Sequence, residues 1–204
     1  MKARTLILVL LLSSFLSFNA AASMLTFETR GLVSDPRGLG VDYKTSWHAQ
    51  GTPVTSTELT EFTNVQSGDN SFSRLAVNFD FGLRDIFSIR LGLDAGLGVA
   101  AYLDDVLLGA DTRDRWWAYN WGRADTLSGL KGTAHKLEVY WAEWCCNGGQ
   151  SAQLSLDGGK NWQTLSVANL DDARIAATPV PAAIWLFGTA LIGLIGINKR
   201  KNAA

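Results

Sequence analysis

The chain contains 204 residues with a formal net charge of −1, and its charges are distributed unevenly. Residues 1–22 and 178–204 carry five basic residues and no acidic ones, which leaves 13 basic against 19 acidic residues between them. A nucleic-acid-binding protein needs clustered Lys and Arg to displace phosphate counterions. An acidic body of about 155 residues, long enough for one domain with its own core, therefore excludes nucleic acid as the expected partner.

Residues 1–22 have the pattern of a secretory signal peptide. Lys2 and Arg4 provide a positive start, Leu6–Leu12 form an apolar run, and Ala20–Ala22 supply a small-residue cleavage site. The run is too short to span a membrane. We therefore expect residues 1–22 to be removed on export.

Residues 182–197 have the pattern of one transmembrane helix. They carry no charge, follow Pro181, and precede a basic triplet at residues 199–201. Such a helix is about 24–27 Å long, slightly shorter than a hydrocarbon core of ~30 Å but long enough to reach across it. Because basic flanks stay in the cytoplasm, we expect the body, residues 23–170, outside the inner membrane, with residues 171–178 as a linker.

The same order of features resembles the PEP-CTERM sorting tail of Gram-negative bacteria. Residues 180–188 read Val-Pro-Ala-Ala-Ile-Trp-Leu-Phe-Gly, and a glycine-containing span and the basic triplet follow. The resemblance implies recognition and cleavage by an exosortase, a membrane cysteine transpeptidase-like enzyme, and delivery to the cell surface or exopolysaccharide matrix. Val180 stands where the family has Glu. The sorting residues implied are Pro179, Val180, Pro181, Lys199, Arg200 and Lys201.

Alternating apolar and polar residues predict β-strands through the body, most clearly at residues 75–81 and 137–141. Further strands are predicted at residues 25–30, 86–93, 99–103, 106–108, 116–121, 153–156 and 162–167. Residues 31–70 are poorer in apolar residues, and we expect long loops with one or two short strands there. Short strands separated by turn residues favour an all-β fold, an antiparallel β-sandwich or jelly roll.

The two cysteines of the chain, Cys145 and Cys146, are neighbours. In an oxidising compartment they can bridge each other, bridge two chains, or remain thiols, and we expect the first. A bond between neighbours must accommodate Cα atoms ~3.8 Å apart, below the usual range of about 4.4–6.8 Å, so it would stiffen the strand end. Residues 143–148 also resemble the Cys-Cys-x-Gly group of PEP-CTERM proteins, for which no activity is implied.

Asp104 and Asp105 follow the strand predicted at residues 99–103. Carboxylate oxygens on loops are the ligands that calcium selects. Paired aspartates at the end of a sandwich strand resemble those of the calcium-dependent, protective-antigen-like lectin domains, which implies a calcium-assisted carbohydrate site. The alternative is a turn with solvated carboxylates.

Aromatic residues are concentrated at residues 116–121. Alternation places Trp117, Tyr119 and Trp121 on one face of the predicted strand and Trp116 on the other. One face is expected to be buried in the core, because large aromatic side chains contribute most of a core's area. Trp116 is the candidate for stacking on a sugar ring.

The sequence contains no Gly-x-Ser-x-Gly, His-Glu-x-x-His or Walker motif, and we expect no enzymatic activity. The leading hypothesis is a structural or interaction protein of the bacterial cell surface or exopolysaccharide matrix. The alternative is a calcium-assisted carbohydrate-binding module. The expected partners are an exosortase, an exopolysaccharide or other glycan, and the membrane before processing.

Overall fold

The computed structural model describes residues 22–39, 42–80, 86–116, 121, 124–127, 130, 134–146 and 148–175. In chain order its elements are β1 (Met24–Gly31), a 3-10 helix (Pro36–Leu39), α1 (Tyr43–Ala49), β2 (Val54–Leu59), β3 (Val65–Gln66), β4 (Ser71–Asp80), β5 (Phe87–Gly92), β6 (Val99–Leu103), β7 (Val106–Asp111), β8 (Ala124–Leu127), β9 (Ala134–Glu143), β10 (Gly149–Ser155), β11 (Gln163–Thr164) and α2 (Val167–Ile175).

The strands form two antiparallel sheets. The first has six strands in the order β2-β1-β4-β9-β6-β7, and the second has the order β11-β10-β5-β8, with β3 attached to β10. The central strands β4 and β9 pair along their whole length, from Ser71 opposite Glu143 to Asp80 opposite Ala134. The predicted all-β, antiparallel fold is confirmed.

The main core lies between the sheets and is built from the apolar residues of the alternating strands. Leu75 on β4 and Val139 and Trp141 on β9 face Ile89 on β5 and Leu154 on β10, all with at most 4% of their surface exposed. The alternation that predicts the strands therefore also identifies the residues that hold the two sheets together.

Helix α1 covers the outer face of the six-stranded sheet. Asp42 caps the helix by accepting a hydrogen bond from a backbone N–H of its first turn. Tyr43 and Trp47 then pack against Phe72 and Tyr140 in a second apolar cluster. The sequence predicts only loops and short strands here, because a helix of two turns is too short to show an apolar stripe.

The linker predicted from residue 171 begins later in the structure. Residues 171–175 belong to helix α2, where Ala173 is fully buried and Asp171 accepts a hydrogen bond from the backbone N–H of Ser23 at 3.0 Å. The predicted linker is wrong for residues 171–175. Their sequence is poor in large apolar residues, but a side chain as small as that of Ala173 can still pack into the core. Residues 176–178 lie outside the described residues.

Candidate functional site

Asp104 and Asp105 form the two-residue turn between β6 and β7. Leu103 pairs with Val106 across the turn, and the φ angles of the aspartates are 49° and 68°. Tight hairpin turns with positive φ at both central positions accept few residue types, and aspartate is one of them. The conformation of the turn thus explains why aspartates occupy these two positions.

Neighbouring protein groups engage both carboxylates of the turn. Asp104 lies 2.6 Å from Nδ1 of His135 and accepts the backbone N–H of Lys136 at 2.9 Å. Burial raises the pKa of Asp104, but these hydrogen bonds outweigh it and hold the pKa below its usual value. Asp105 contacts the ammonium group of Lys44. No three His, Cys, Asp or Glu side chains form a metal-binding group among the described residues, and calcium binding at this pair stays a prediction.

A cleft of about 370 Å³ opens between the start of helix α1 and the β6–β7 turn. It combines carboxylates, hydroxyl groups and one ammonium group with a tyrosine ring and an exposed leucine. A few convergent polar groups beside apolar surface are typical of a small-ligand site. The lining residues are Asp42, Lys44, Thr45, Tyr102, Asp105 and Leu107.

The two charged groups at the start of helix α1 are held in place. Asp42 accepts hydrogen bonds from the backbone N–H and the hydroxyl group of Thr45, at 3.0 and 2.6 Å, and these bonds lower the pKa of Asp42. Burial lowers the pKa of Lys44, but its bonds to Asp105 and Glu138 outweigh this effect and raise the pKa. Both groups are therefore charged at neutral pH.

Glu138 lies behind the cleft and connects it to the sheet. Its side chain is 2% exposed and forms ion pairs with Lys44 at 2.8 Å, Lys136 at 2.9 Å and Arg74. Burial raises the pKa of Glu138, but the hydrogen bonds from the lysines and the charge of Arg74 bring it down to about 2. The ionised carboxylate fixes the position of the Lys44 ammonium group.

The cysteines lie at the opposite end of β9, in a segment that we call the Cys-Cys loop (residues 144–146 and 148). Cys145 and Cys146 form a disulfide with their Cα atoms 3.8 Å apart, and both residues are exposed. The φ angle of Cys146 is 65°, in the left-handed region. The bridge between neighbours is thus compatible with this loop, and its formation in preference to a bridge between chains stays a prediction.

Two buried carboxylates hold the Cys-Cys loop. Glu143 accepts the backbone N–H groups of Trp144 at 2.9 Å and Cys145 at 3.2 Å, and Asp94 accepts that of Gly148 at 2.7 Å. A Cβ atom on Gly148 would lie 2.7 Å from a carboxylate oxygen of Asp94. The glycine of the Cys-Cys-x-Gly pattern thus has a steric reason.

Two exposed tryptophans lie at this end of the sandwich. Trp144 is 44% exposed and Trp116 is 80% exposed. Arg115, next to Trp116, exchanges two backbone hydrogen bonds with Ala95, at 2.7 and 3.1 Å. Because Ala95 follows the aspartate that binds the Cys-Cys loop, the segments that carry the two tryptophans are neighbours.

Trp121 has a different environment. The guanidinium carbon of Arg90 lies 4.7 Å from the ring centre of Trp121 and 4.4 Å from that of Trp162. This stack lies against the second sheet, so Trp121 belongs to a packed cation–π cluster. Trp117 and Tyr119 lie outside the described residues.

The predicted export and sorting segments also lie outside the described residues. They comprise residues 1–21 of the signal peptide, Pro179, Val180 and Pro181, the span at 182–197 and the basic triplet. Among the described helices, none has the length and apolar character to cross a membrane.

The sequence does not predict most of the cleft, because its residues come from two segments about 60 positions apart in the chain. One signal was present: Asp42 stands directly before a short helix, as N-cap residues do. No local pattern indicates that Lys44 meets Asp105 or that Tyr102 and Leu107 share the cleft.

No protein-family model matches this sequence, and no curated protein matches it. Solved structures do match. The PA14 domain of the MpAFP antifreeze protein is 10% identical over 74% of this chain and 93% of that chain, with a TM-score of 0.51. A PA14 sugar-binding domain from an RTX adhesin is 12% identical over 72% and 97%, with a TM-score of 0.51.

A third match is the A domain of epithelial adhesin 6 from Candida glabrata, solved in complex with Galβ1-3GlcNAc. It is 11% identical over 74% of this chain and 88% of that chain, with a TM-score of 0.51. At these identities the similarity concerns the fold. The chain therefore has a PA14-like β-sandwich, which agrees with the protective-antigen-like resemblance of its sequence.

Proposed function

We propose that this protein is an exported carbohydrate-binding protein of the cell surface or exopolysaccharide matrix. The observation that carries the proposal is the PA14-like sandwich, which covers 97% of a sugar-binding domain from an RTX adhesin. The cleft beside the β6–β7 turn supports it, because its volume of about 370 Å³ and its mixture of groups suit one or two sugar rings.

Each group of the cleft has a role in this proposal. The carboxylates of Asp42 and Asp105 accept hydrogen bonds from sugar hydroxyl groups, since an ionised carboxylate can accept more bonds than its protein partners supply. The ammonium group of Lys44 donates to hydroxyl or ring oxygens. Leu107, 42% exposed, contacts the apolar face of the sugar.

The sequence features of the two ends complete the proposal. The signal peptide directs export, and the PEP-CTERM-like tail anchors the body until an exosortase of a Gram-negative cell cleaves near residues 179–182. A surface or matrix location brings the domain to the polysaccharides that it binds. We propose no enzymatic step, because the cleft offers ligand-binding groups without an activated nucleophile.

A glycan array tests the binding proposal. We expect the protein to bind neutral glycans, and we expect Lys44→Ala and Asp105→Asn each to weaken binding about tenfold, as the loss of one charged hydrogen bond does. Glu58→Gln, an exposed substitution on the edge strand β2, is the control. Absence of binding to every glycan would contradict the proposal.

Calcium is the second variable of the same experiment. If Asp104 and Asp105 bind calcium, then removing it with EDTA abolishes glycan binding, and adding it raises the melting temperature, because a ligand that binds only the folded state stabilises it. If the carboxylates act directly, as their hydrogen bonds and the turn geometry favour, binding is the same with EDTA and with calcium.

A further inference from the structure

We propose that the Cys-Cys loop and Trp116 form a second carbohydrate-binding surface, on which Trp144, Trp116 and the Cys145–Cys146 disulfide contact the apolar face of a neutral sugar. The inference rests on the proposed carbohydrate binding and adds a site at the opposite end of β9 from the β6–β7 turn. A domain with two such sites bridges two polysaccharide chains and cross-links the matrix.

The apolar groups of this surface are exposed to solvent. Trp116 is 80% exposed and Trp144 is 44% exposed, and Cys145 and Cys146 of the disulfide are exposed as well. A disulfide has no charge and no N–H or O–H donor, and its sulfur atoms are polarisable. Exposed apolar groups on neighbouring segments are typical of binding surfaces.

Buried carboxylates hold the Cys-Cys loop in one conformation. Glu143 and Asp94 are 6% and 5% exposed, and their carboxylates bind three backbone N–H groups of the Cys-Cys loop. The side chain of Gln150 in turn donates to the backbone oxygens of Asp94 and Gly148, at 3.1 and 3.2 Å. A surface that is ordered before binding loses less conformational entropy when a ligand arrives.

Hydrogen bonds join the loops that carry the two tryptophans. Gly96 donates its backbone N–H to Glu143 at 2.6 Å, and Ala95 pairs with Arg115. A Cβ atom on Gly96 would lie 2.6 Å from the Glu143 carboxylate, so this close approach requires glycine. The segment at residues 93–98 therefore ties the Trp116 segment to the Cys-Cys loop.

Charge selects the class of sugar. The charged residues of these loops and of the strand ends beside them are Asp94, Asp111, Asp114, Glu143, Arg113 and Arg115. Both guanidinium groups pair with the carboxylate of Asp111. The surplus negative charge disfavours uronates and other anionic sugars. The apolar face of a neutral pyranose suits the exposed tryptophan rings and sulfur atoms.

The test uses the full chain, immobilised dextran, mannan, galactan and cellulose as neutral probes, and alginate as the anionic probe. In a Lys44→Ala background, which weakens the cleft, we expect Trp144→Ala and Trp116→Ala each to reduce the remaining affinity about tenfold. Replacing both cysteines by serine tests the disulfide. Ile86→Ala, which removes another exposed apolar side chain (49%), is the control.

Light scattering of a soluble neutral polysaccharide measures bridging. We expect the wild-type protein to raise scattering, and the Trp144→Ala or Trp116→Ala variant with an intact cleft to bind without raising it. Unchanged affinity and scattering in both tryptophan variants would overturn the second surface and leave the cleft proposal intact. Equal binding to alginate would overturn the neutral class. A wild-type protein that binds glycans on the array but none of these polysaccharides would overturn the second surface and leave the cleft proposal intact.

Discussion

Glu138 is a buried carboxylate on β9 that pairs with three basic side chains. It alternates with Leu137 and Val139 on a strand predicted to be half-buried, which places it on the solvent face. In the structure its side chain is 2% exposed, because helix α1 covers that face. Alternation identifies the face of a residue correctly but does not reveal what covers it.

Replacement of Glu138 by Gln tests this buried ion-pair network. The variant leaves Arg74 and Lys44 without their shared carboxylate, and breaking a buried ion pair costs about 3 kcal/mol of unfolding free energy. Urea unfolding measures the loss. The control Glu58→Gln lies on an exposed edge strand, where we expect a change within about 0.5 kcal/mol. Equal stabilities of the two variants would contradict the role of Glu138.

The Glu138 carboxylate also makes the stability of the fold depend on pH. The pKa of Glu138 falls from its usual 4.5 to about 2 on folding, so its ionised form stabilises the native state fully above the unfolded pKa. This contribution is lost as the pH falls from about 4.5 towards 2. We expect the melting temperatures of the wild-type protein and Glu138→Gln to converge across that window. A difference of the same size at pH 7 and at pH ~2 would contradict the assignment of this stability to the ionised carboxylate.

The close contact of Gly148 with Asp94 leads to a second prediction about stability. A Cβ atom there would lie 2.7 Å from a carboxylate oxygen of Asp94, whereas one on Gly38 would meet no atom within 4 Å. We expect Gly148→Ala to destabilise the fold by about 1–3 kcal/mol through overpacking, and Gly38→Ala to have little effect. Thermal unfolding of both variants measures the difference, and a neutral Gly148→Ala would show that the contact is not tight.

At the scale of elements, strands were predictable and helices were not. Alternation predicts β4 and β9, because each of these strands contributes a continuous row of apolar side chains to the main core. Helix α1 has only seven residues, and in α2 the buried contacts include the small side chain of Ala173, so neither shows a long apolar stripe. Tertiary packing, rather than local pattern, defines both helices.

The candidate sites were predictable to different degrees. The sequence identifies Asp104 and Asp105 as a turn or ligand pair, and the Cys-Cys loop as a distinct local feature. It does not identify Asp94 and Glu143 as the carboxylates that hold this loop, because Asp94 reaches Gly148 across 54 positions. Contacts of that range come from strand order, which local patterns do not encode.

The Cys-Cys loop gives a prediction for the exported protein. Because the chain has no third cysteine and its proposed export would bring it to an oxidising compartment, we expect Cys145 and Cys146 to be joined in a monomer. Mass spectrometry of the peptide that contains both distinguishes the bridge from free thiols by the mass of two hydrogen atoms. A covalent dimer that collapses on reduction, or two thiols that react with an alkylating agent, would contradict the assignment.

For the whole molecule, we propose that the C-terminal tail sorts the protein and that the sandwich binds its ligand. The tail pattern predicts that the precursor crosses the inner membrane once and is cleaved near residues 179–182. Intact-mass analysis of the surface form in a host with an active exosortase measures the outcome. A mature protein that retains residues 182–201 would contradict the sorting assignment and leave the carbohydrate proposal untouched.

The most direct test of carbohydrate binding in the cleft is an NMR titration of the isotope-labelled protein with the strongest array glycan. We expect chemical-shift changes of the backbone amides at residues 42–45 and 105–107, which surround the cleft, and their loss in Lys44→Ala. Saturable binding whose shift changes leave both segments unaffected would contradict the cleft as the binding site.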